Sequence, residues 1–153
     1  MTEITFITLV VTLTWYVYSS LEGNREGDYW YILSLTSIKP GTFYEHIKWS
    51  FQRFFVYCVF AMTLLLLNSN SKYPAWDIFF IFSSLPLSFV FFHDGGYYQR
   101  RHQLDSTIYL KAFWDNSTTS TSWFDKLKLT SSIMRLIYFI ISITETILLV
   151  TLK

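Results

Sequence analysis

Apolar residues along this chain gather into four long runs, separated by polar stretches that carry two of its three prolines and all five of its glycines. A bilayer core about 30 Å thick asks for roughly 20 helical residues at about 1.5 Å each, and about 17 is the practical minimum. Residues 4–20 hold no charge and end in a Trp15, Tyr16, Tyr18 belt of the kind found at headgroup level. They do not read as a secretory signal, since nothing before them is basic and no small-x-small cleavage site follows. The second run, 49–68, has a short apolar core. However, Thr42-x-x-Glu45 after Lys39-Pro40-Gly41 has the form of a capping box, so its helix is expected to start near Phe43 and to project from the membrane before Trp49. The third, 76–92, follows Pro74 and carries Pro86 beside Ser83, Ser84 and Ser88, which predicts a kinked membrane helix. The fourth, 133–152, is interrupted only by Arg135 near its start and Glu145 in its middle.

These spans predict an all-α integral membrane protein: one domain, an antiparallel bundle of four transmembrane helices, and a partly helical loop at 93–132. A soluble helical domain is disfavoured, because soluble helices of this length carry a charged face and the first and third runs offer no charge beyond Asp77 at an end. Within 93–132 the pattern predicts a turn at Asp94-Gly95-Gly96, helical pieces near 97–104 and 108–114, and a polar loop at 117–122. Ser122-x-x-Asp125 then caps the last helix. Phe113, Trp114, Trp123 and Phe124 are too apolar for a solvated loop and should fold back onto the inner membrane surface or the helix ends. The short run 29–35 reads as an interfacial segment.

Charge sets the expected orientation. Ten of the twelve Lys and Arg residues fall in or beside the loops 21–48 and 93–132. The positive-inside rule makes those loops cytoplasmic and puts both termini outside. The sequon Asn116-Ser117-Thr118 then lies inside and goes unmodified. A net charge of +1 with 15% charged residues offers no footprint for nucleic acid, and one cysteine, Cys58, excludes a disulfide scaffold.

Polar side chains form stripes at helical spacing: Thr5, Thr8, Thr12, Trp15 or Tyr16 and Ser19 in the first run; His46, Ser50, Arg53 and Tyr57 in the second; Arg135, Tyr138, Ser142 and Glu145 in the fourth. Such stripes avoid lipid and are expected to pack helices together, or alternatively to line a pathway for ions or a headgroup. Glu145, near the bilayer middle and about 15 Å along its helix from Arg135, is expected to be neutral and hydrogen-bonded, with Thr12 as a candidate partner, or else exposed to a water-filled cavity as a proton or cation site. Arg53, Arg100, Arg101 and Arg135 sit near the inner interface, where guanidinium groups suit phosphate oxygens, so anionic lipid headgroups are the expected ligands. His46, His93 and His102 are weak candidates for metal ligation, and His93, Asp94 and His46 are weak candidates for catalysis. Their spacing matches no metal or nucleophile motif.

No cofactor is called for. The expected function is a non-catalytic accessory subunit or an oligomeric pore-type protein, contacting membrane lipid and a homo-oligomer or complex partner. The alternative is an interfacial enzyme acting on a phosphate-bearing or lipid substrate, which requires His46, His93 and Arg53 to meet in one pocket.

Overall fold

The computed structural model describes residues 2–36, 42–116 and 129–151, and the side chains of residues 42–46 lie outside that description. Among the described residues all regular structure is helical: α1 (Glu3–Leu35), α2 (Thr42–Leu67), α3 (Pro74–Leu104), a short 3-10 helix (Ala112–Trp114) and α4 (Ser132–Thr151). Each of the four α-helices is long and apolar enough to cross a membrane, which makes this a multi-pass integral membrane protein. The helices pack as an up-down-up-down bundle.

Local signals account for the ends. The Thr2 hydroxyl accepts from the Thr5 N–H and starts α1, Pro74 occupies the first turn of α3, and the Asp105 N–H closes α3 on the Arg101 carbonyl at 2.8 Å. α2 is helical from Thr42, its first described residue, and the capping contacts expected of Thr42 and Glu45 lie outside the described side chains.

Two expected interruptions are absent. Residues 21–35, read as loop and interfacial segment, continue α1, and Asp94-Gly95-Gly96, read as a turn, lies within α3. Glycine costs about 1 kcal/mol in a helix interior, and here tertiary contact offsets it. A Cβ on Gly23 would overlap the backbone of His93, and a Cβ on Gly96 would lie 2.6 Å from the Ser20 carbonyl oxygen. The glycines therefore let α1 and α3 touch backbone to backbone. Gly95 does the same for the Phe113 ring, which folds back against it.

At about 1.5 Å per residue, α1 and α3 are close to 50 Å long, so both overshoot a hydrocarbon core of about 30 Å. The excess, residues 21–35 and 93–104, emerges at one end, the end at which α1 and α3 finish and α2 and α4 begin. That end holds the arginines. α3 is the central helix, with α1 along one side and α4 along another, while α2 rests more lightly on α1 and α3. The core joins Trp15, Ala61, Leu64, Ile81, Leu85 and Leu149 across all four helices. Facing away, Phe51, Phe54, Phe55 and Leu66 leave α2 broadly apolar on its outer side, as lipid contact requires.

α3 runs through Pro86 as one helix. The carbonyls just before the proline receive extra donors: the Trp15 indole N–H bonds the Leu85 oxygen at 2.9 Å, and the Ser142 hydroxyl bonds the Ser84 oxygen at 2.9 Å. Pro86 thus marks the level at which α1, α3 and α4 are tied together. The fold-back expected of the 93–132 segment holds for its described part. Phe113 meets Phe91, and Ser132 N–H bonds the Asn116 side chain at 2.7 Å. The pieces 117–122, Trp123, Phe124 and Ser122-x-x-Asp125 lie outside the described residues.

Candidate functional site: a charged network at the basic end

The polar stripe of α1 does not stop at Ser19. Its period carries on to Glu22 and Glu26, both in the projecting part of the helix and both turned inward. Glu22 is 5% exposed. Its Oε1 accepts from Arg25 at 2.7 Å, one turn along α1, and from Arg53 Nε at 3.1 Å, from α2. Glu26 Oε2 accepts from Arg53 Nη2 at 2.6 Å and lies 3.0 Å from His93 Nε2, while its Oε1 accepts from the Trp30 indole at 3.2 Å. His93 Nδ1 is 3.0 Å from Asp94. One chain of charged contacts therefore joins α1, α2 and α3, and the Gly23 contact with the His93 backbone brings the helices close enough to form it.

A second pair, Arg100 Nε to Asp28 Oδ1 at 2.6 Å, repeats the α1–α3 link two turns of α3 further out. Arg25 and Arg53 also lie over the Trp49 ring, at 5.6 and 5.8 Å from its centroid. The Trp49 indole thus covers the network from α2.

The electrostatics favour charge on both partners of the central contact. Burial alone would raise the Glu26 carboxyl, but the hydrogen bond from His93, the His93 charge and the Arg53 guanidinium outweigh it and hold Glu26 well below the usual carboxylate range. Burial alone would lower His93, yet hydrogen bonds to Asp94 and Glu26 and the Asp94 charge lift it above its ordinary value. An imidazolium can donate from both ring nitrogens, and here each nitrogen faces a carboxylate. The ring also stacks on Phe89 with centroids 4.8 Å apart.

The residues singled out in the sequence are distributed as follows. Arg53, His93 and Asp94 join the network. The His46 side chain lies outside the described residues. His102 faces elsewhere, with Nδ1 2.6 Å from the Tyr109 carbonyl oxygen. Arg100 pairs with Asp28 at the rim. Arg101 is buried between the Tyr31 and Tyr109 rings, at 5.6 and 4.9 Å. Arg135 is fully buried, donating to the Asp115 carbonyl at 2.6 Å and lying 5.2 Å from the Tyr98 ring centroid. The four arginines thus occupy separate places.

Glu145 is 8% exposed, and Ser83 donates to it at 2.7 Å; the expected Thr12 contact is not made. The Thr12 hydroxyl is spent on the Thr8 carbonyl of its own helix at 2.9 Å. Ser142 binds α3 as described, and Tyr138 is half-buried on the same face. Among the described residues no group of three or more His, Cys, Asp or Glu side chains is placed to hold a metal ion.

Glu22, Glu26 and the Gly23-x-x-x-Gly27 pair escaped the sequence reading. The signal was present: Thr5, Thr8, Thr12, Trp15, Ser19, Glu22, Glu26 is one unbroken helical stripe, and G-x-x-x-G marks close helix approach. Beyond the geometry, the chain matches no protein family, no curated protein and no solved structure.

Proposed function

We propose that this chain is a non-catalytic, membrane-embedded interaction subunit whose basic, aromatic end lies on the cytoplasmic side against anionic lipid. The observation that carries the reading is that the network closes on itself. His93 Nδ1 is hydrogen-bonded to Asp94, its Nε2 lies 3.0 Å from the Glu26 carboxylate, and Glu22 and Glu26 accept from Arg25, Arg53 and Trp30. A general base or nucleophile needs a free lone pair aimed into a cavity that admits substrate. His93 instead sits between the Glu26 carboxylate of α1 and Asp94 of its own helix, with its ring stacked on Phe89. The threonines of α1 are spent in the same way, bonding their own helix carbonyls, which speaks for packing rather than a lined path for ions.

The cytoplasmic placement of this end follows from the loop arginines and lysines. Arg25 is half exposed at the rim and Arg100 partly so, where they can meet headgroups from the membrane face. The outer side of α2 offers apolar surface for lipid, for a second copy or for another membrane chain.

The test is reconstitution into nanodiscs of zwitterionic lipid with and without phosphatidylglycerol, followed by native mass spectrometry and an assay for released phosphate and fatty acid. The expected result is enrichment of the anionic lipid around the protein, with no product release above that of empty discs. Sustained hydrolysis of a lipid or phosphate ester, lost in His93→Gln, would overturn the reading in favour of an interfacial enzyme.

A further inference from the structure

Beside the charged network, a recess of about 260 Å³ opens between α1, α2 and α3 toward the bilayer. Its floor is the Trp15 indole. One wall is Phe54 and Tyr57 of α2; the other is Pro86, Phe89 and Val90 of α3. Arg53 is the one charged residue in its lining. Every other side chain there presents carbon or an aromatic ring, and Pro86 presents no N–H, so the recess suits a hydrocarbon chain.

Its depth fits the same occupant. Pro86 to Val90 spans one turn, about 6 Å, and ends three residues before His93, where α3 leaves its apolar stretch. Arg53 lies one turn beyond Trp49, at the start of the apolar stretch of α2. The recess therefore begins at headgroup level and descends into the upper acyl region of one leaflet. At its mouth Arg53 uses Nε on Glu22 and Nη2 on Glu26. Nη1 is left without a hydrogen-bond partner among the described residues. Arg25 shares Glu22 with Arg53 and is half exposed. Because Glu22 and Glu26 balance these two cations, the mouth offers a phosphate hydrogen-bond donors rather than excess charge.

Resting on the interaction-subunit reading, we infer that this recess is a binding site for one phospholipid, with the start of an acyl chain between Tyr57 and Pro86 and the phosphate on Arg53 Nη1 and Arg25. The lipid fills the gap left by the light packing of α2 and so completes the α1–α2–α3 contact. The ligand is a phosphodiester lipid; a diacylglycerol with the same chains fills the recess but leaves the donors at its mouth without an acceptor.

The test offers the full chain in detergent equal concentrations of dioleoyl phosphatidylglycerol and dioleoylglycerol, and counts retained lipid by native mass spectrometry. One phospholipid per chain is expected, retained at least tenfold over the diacylglycerol. Val90→Trp fills the recess without touching a charge and should cut retention at least fivefold; Phe54→Trp, on the outer rim, is the second blocking variant. Arg25→Gln should narrow the preference over diacylglycerol while leaving total retention less affected. Equal retention of the two lipids by the unmodified chain overturns the site, as does full retention by a folded blocking variant. Hydrolysis of the bound phospholipid would instead overturn the non-catalytic reading and leave the site standing.

Discussion

His93 is the residue on which three helices converge, and its protonation is readable from outside. It faces Glu26 from α1, Asp94 on its own helix, and the Arg53 guanidinium from α2, which opposes its charge. In the folded chain it titrates above its ordinary value of 6.5. The stability it contributes is thus fully present below that value and is lost as pH rises through the raised folded value. The melting temperature in detergent should fall as pH is taken upward from about 6.5, and His93→Asn should flatten that slope. A slope of the opposite sign, or one that survives the substitution, would show that His93 is not held as an imidazolium. Glu26 has the opposite sign: its stabilisation is present above the ordinary carboxylate range and is lost only in strong acid. The two effects do not overlap, so the neutral-to-alkaline limb reports on His93.

At the level of elements, the decisive feature is the approach of α1 to α3. These helices run in the same direction and would sit on a diagonal of a square bundle, yet Gly23 and Gly96 bring their backbones into contact. That contact explains why α1 stays helical through residues 21–35 and why Asp94-Gly95-Gly96 does not turn. Gly27 is placed differently, since a Cβ there would lie 3.1 Å from the Arg100 Cβ and the Tyr97 carbonyl oxygen, a fit that small shifts can absorb. Gly23→Ala should therefore cost about 1–3 kcal/mol, as overpacking does, and should separate His93 from Glu26, whereas Gly27→Ala should cost clearly less. Thermal unfolding of the two variants side by side checks the ordering, and equal costs would mean the helices are not in register at Gly23. α2 lacks such a contact. It is held by Ala61 and Leu64 in the core and by Arg53 on Glu22 and Glu26.

On the scale of the whole molecule, the bundle has one plain end and one elaborated end. The elaborated end carries the overshoot of α1 and α3, the charged network, and the Phe113 fold-back over buried Arg135. The proposed cytoplasmic placement of this end rests on the distribution of its basic residues under the positive-inside rule. In a Cys58→Ser background, the thiol of Ser69→Cys, in the exposed connection between α2 and α3, should react with an impermeant reagent on intact cells. That of Gln103→Cys should react only after permeabilisation. The reverse pattern would invert the orientation and move the lipid-facing end to the other leaflet.

How much of this was legible in advance follows from the physics of each feature. Membrane crossing is a property of local composition: a run of about 20 apolar residues cannot be hydrated as a helix on a soluble surface. Residues 4–20, 49–68, 76–92 and 133–152 therefore revealed four helices and their alternating direction without any knowledge of contacts. The inward faces of α1 and α4 were legible for a similar reason, since Thr8, Thr12, Ser19, Ser142 and Glu145 share helical faces that lipid disfavours. Partnership was not legible. Whether Glu145 meets Thr12 or Ser83, and whether a glycine pair ends a helix or lets two helices touch, depends on which helices are neighbours. Four helices of similar apolarity can be arranged around one another in several ways at nearly equal burial. The sequence by itself determined the crossings, their polarity pattern and the basic end. Only the tertiary structure decided that α3 is central, that α1 meets it through Gly23 and Gly96, and that Glu22, Glu26, Arg53 and His93 converge, because those outcomes rest on backbone proximity between segments far apart in the chain.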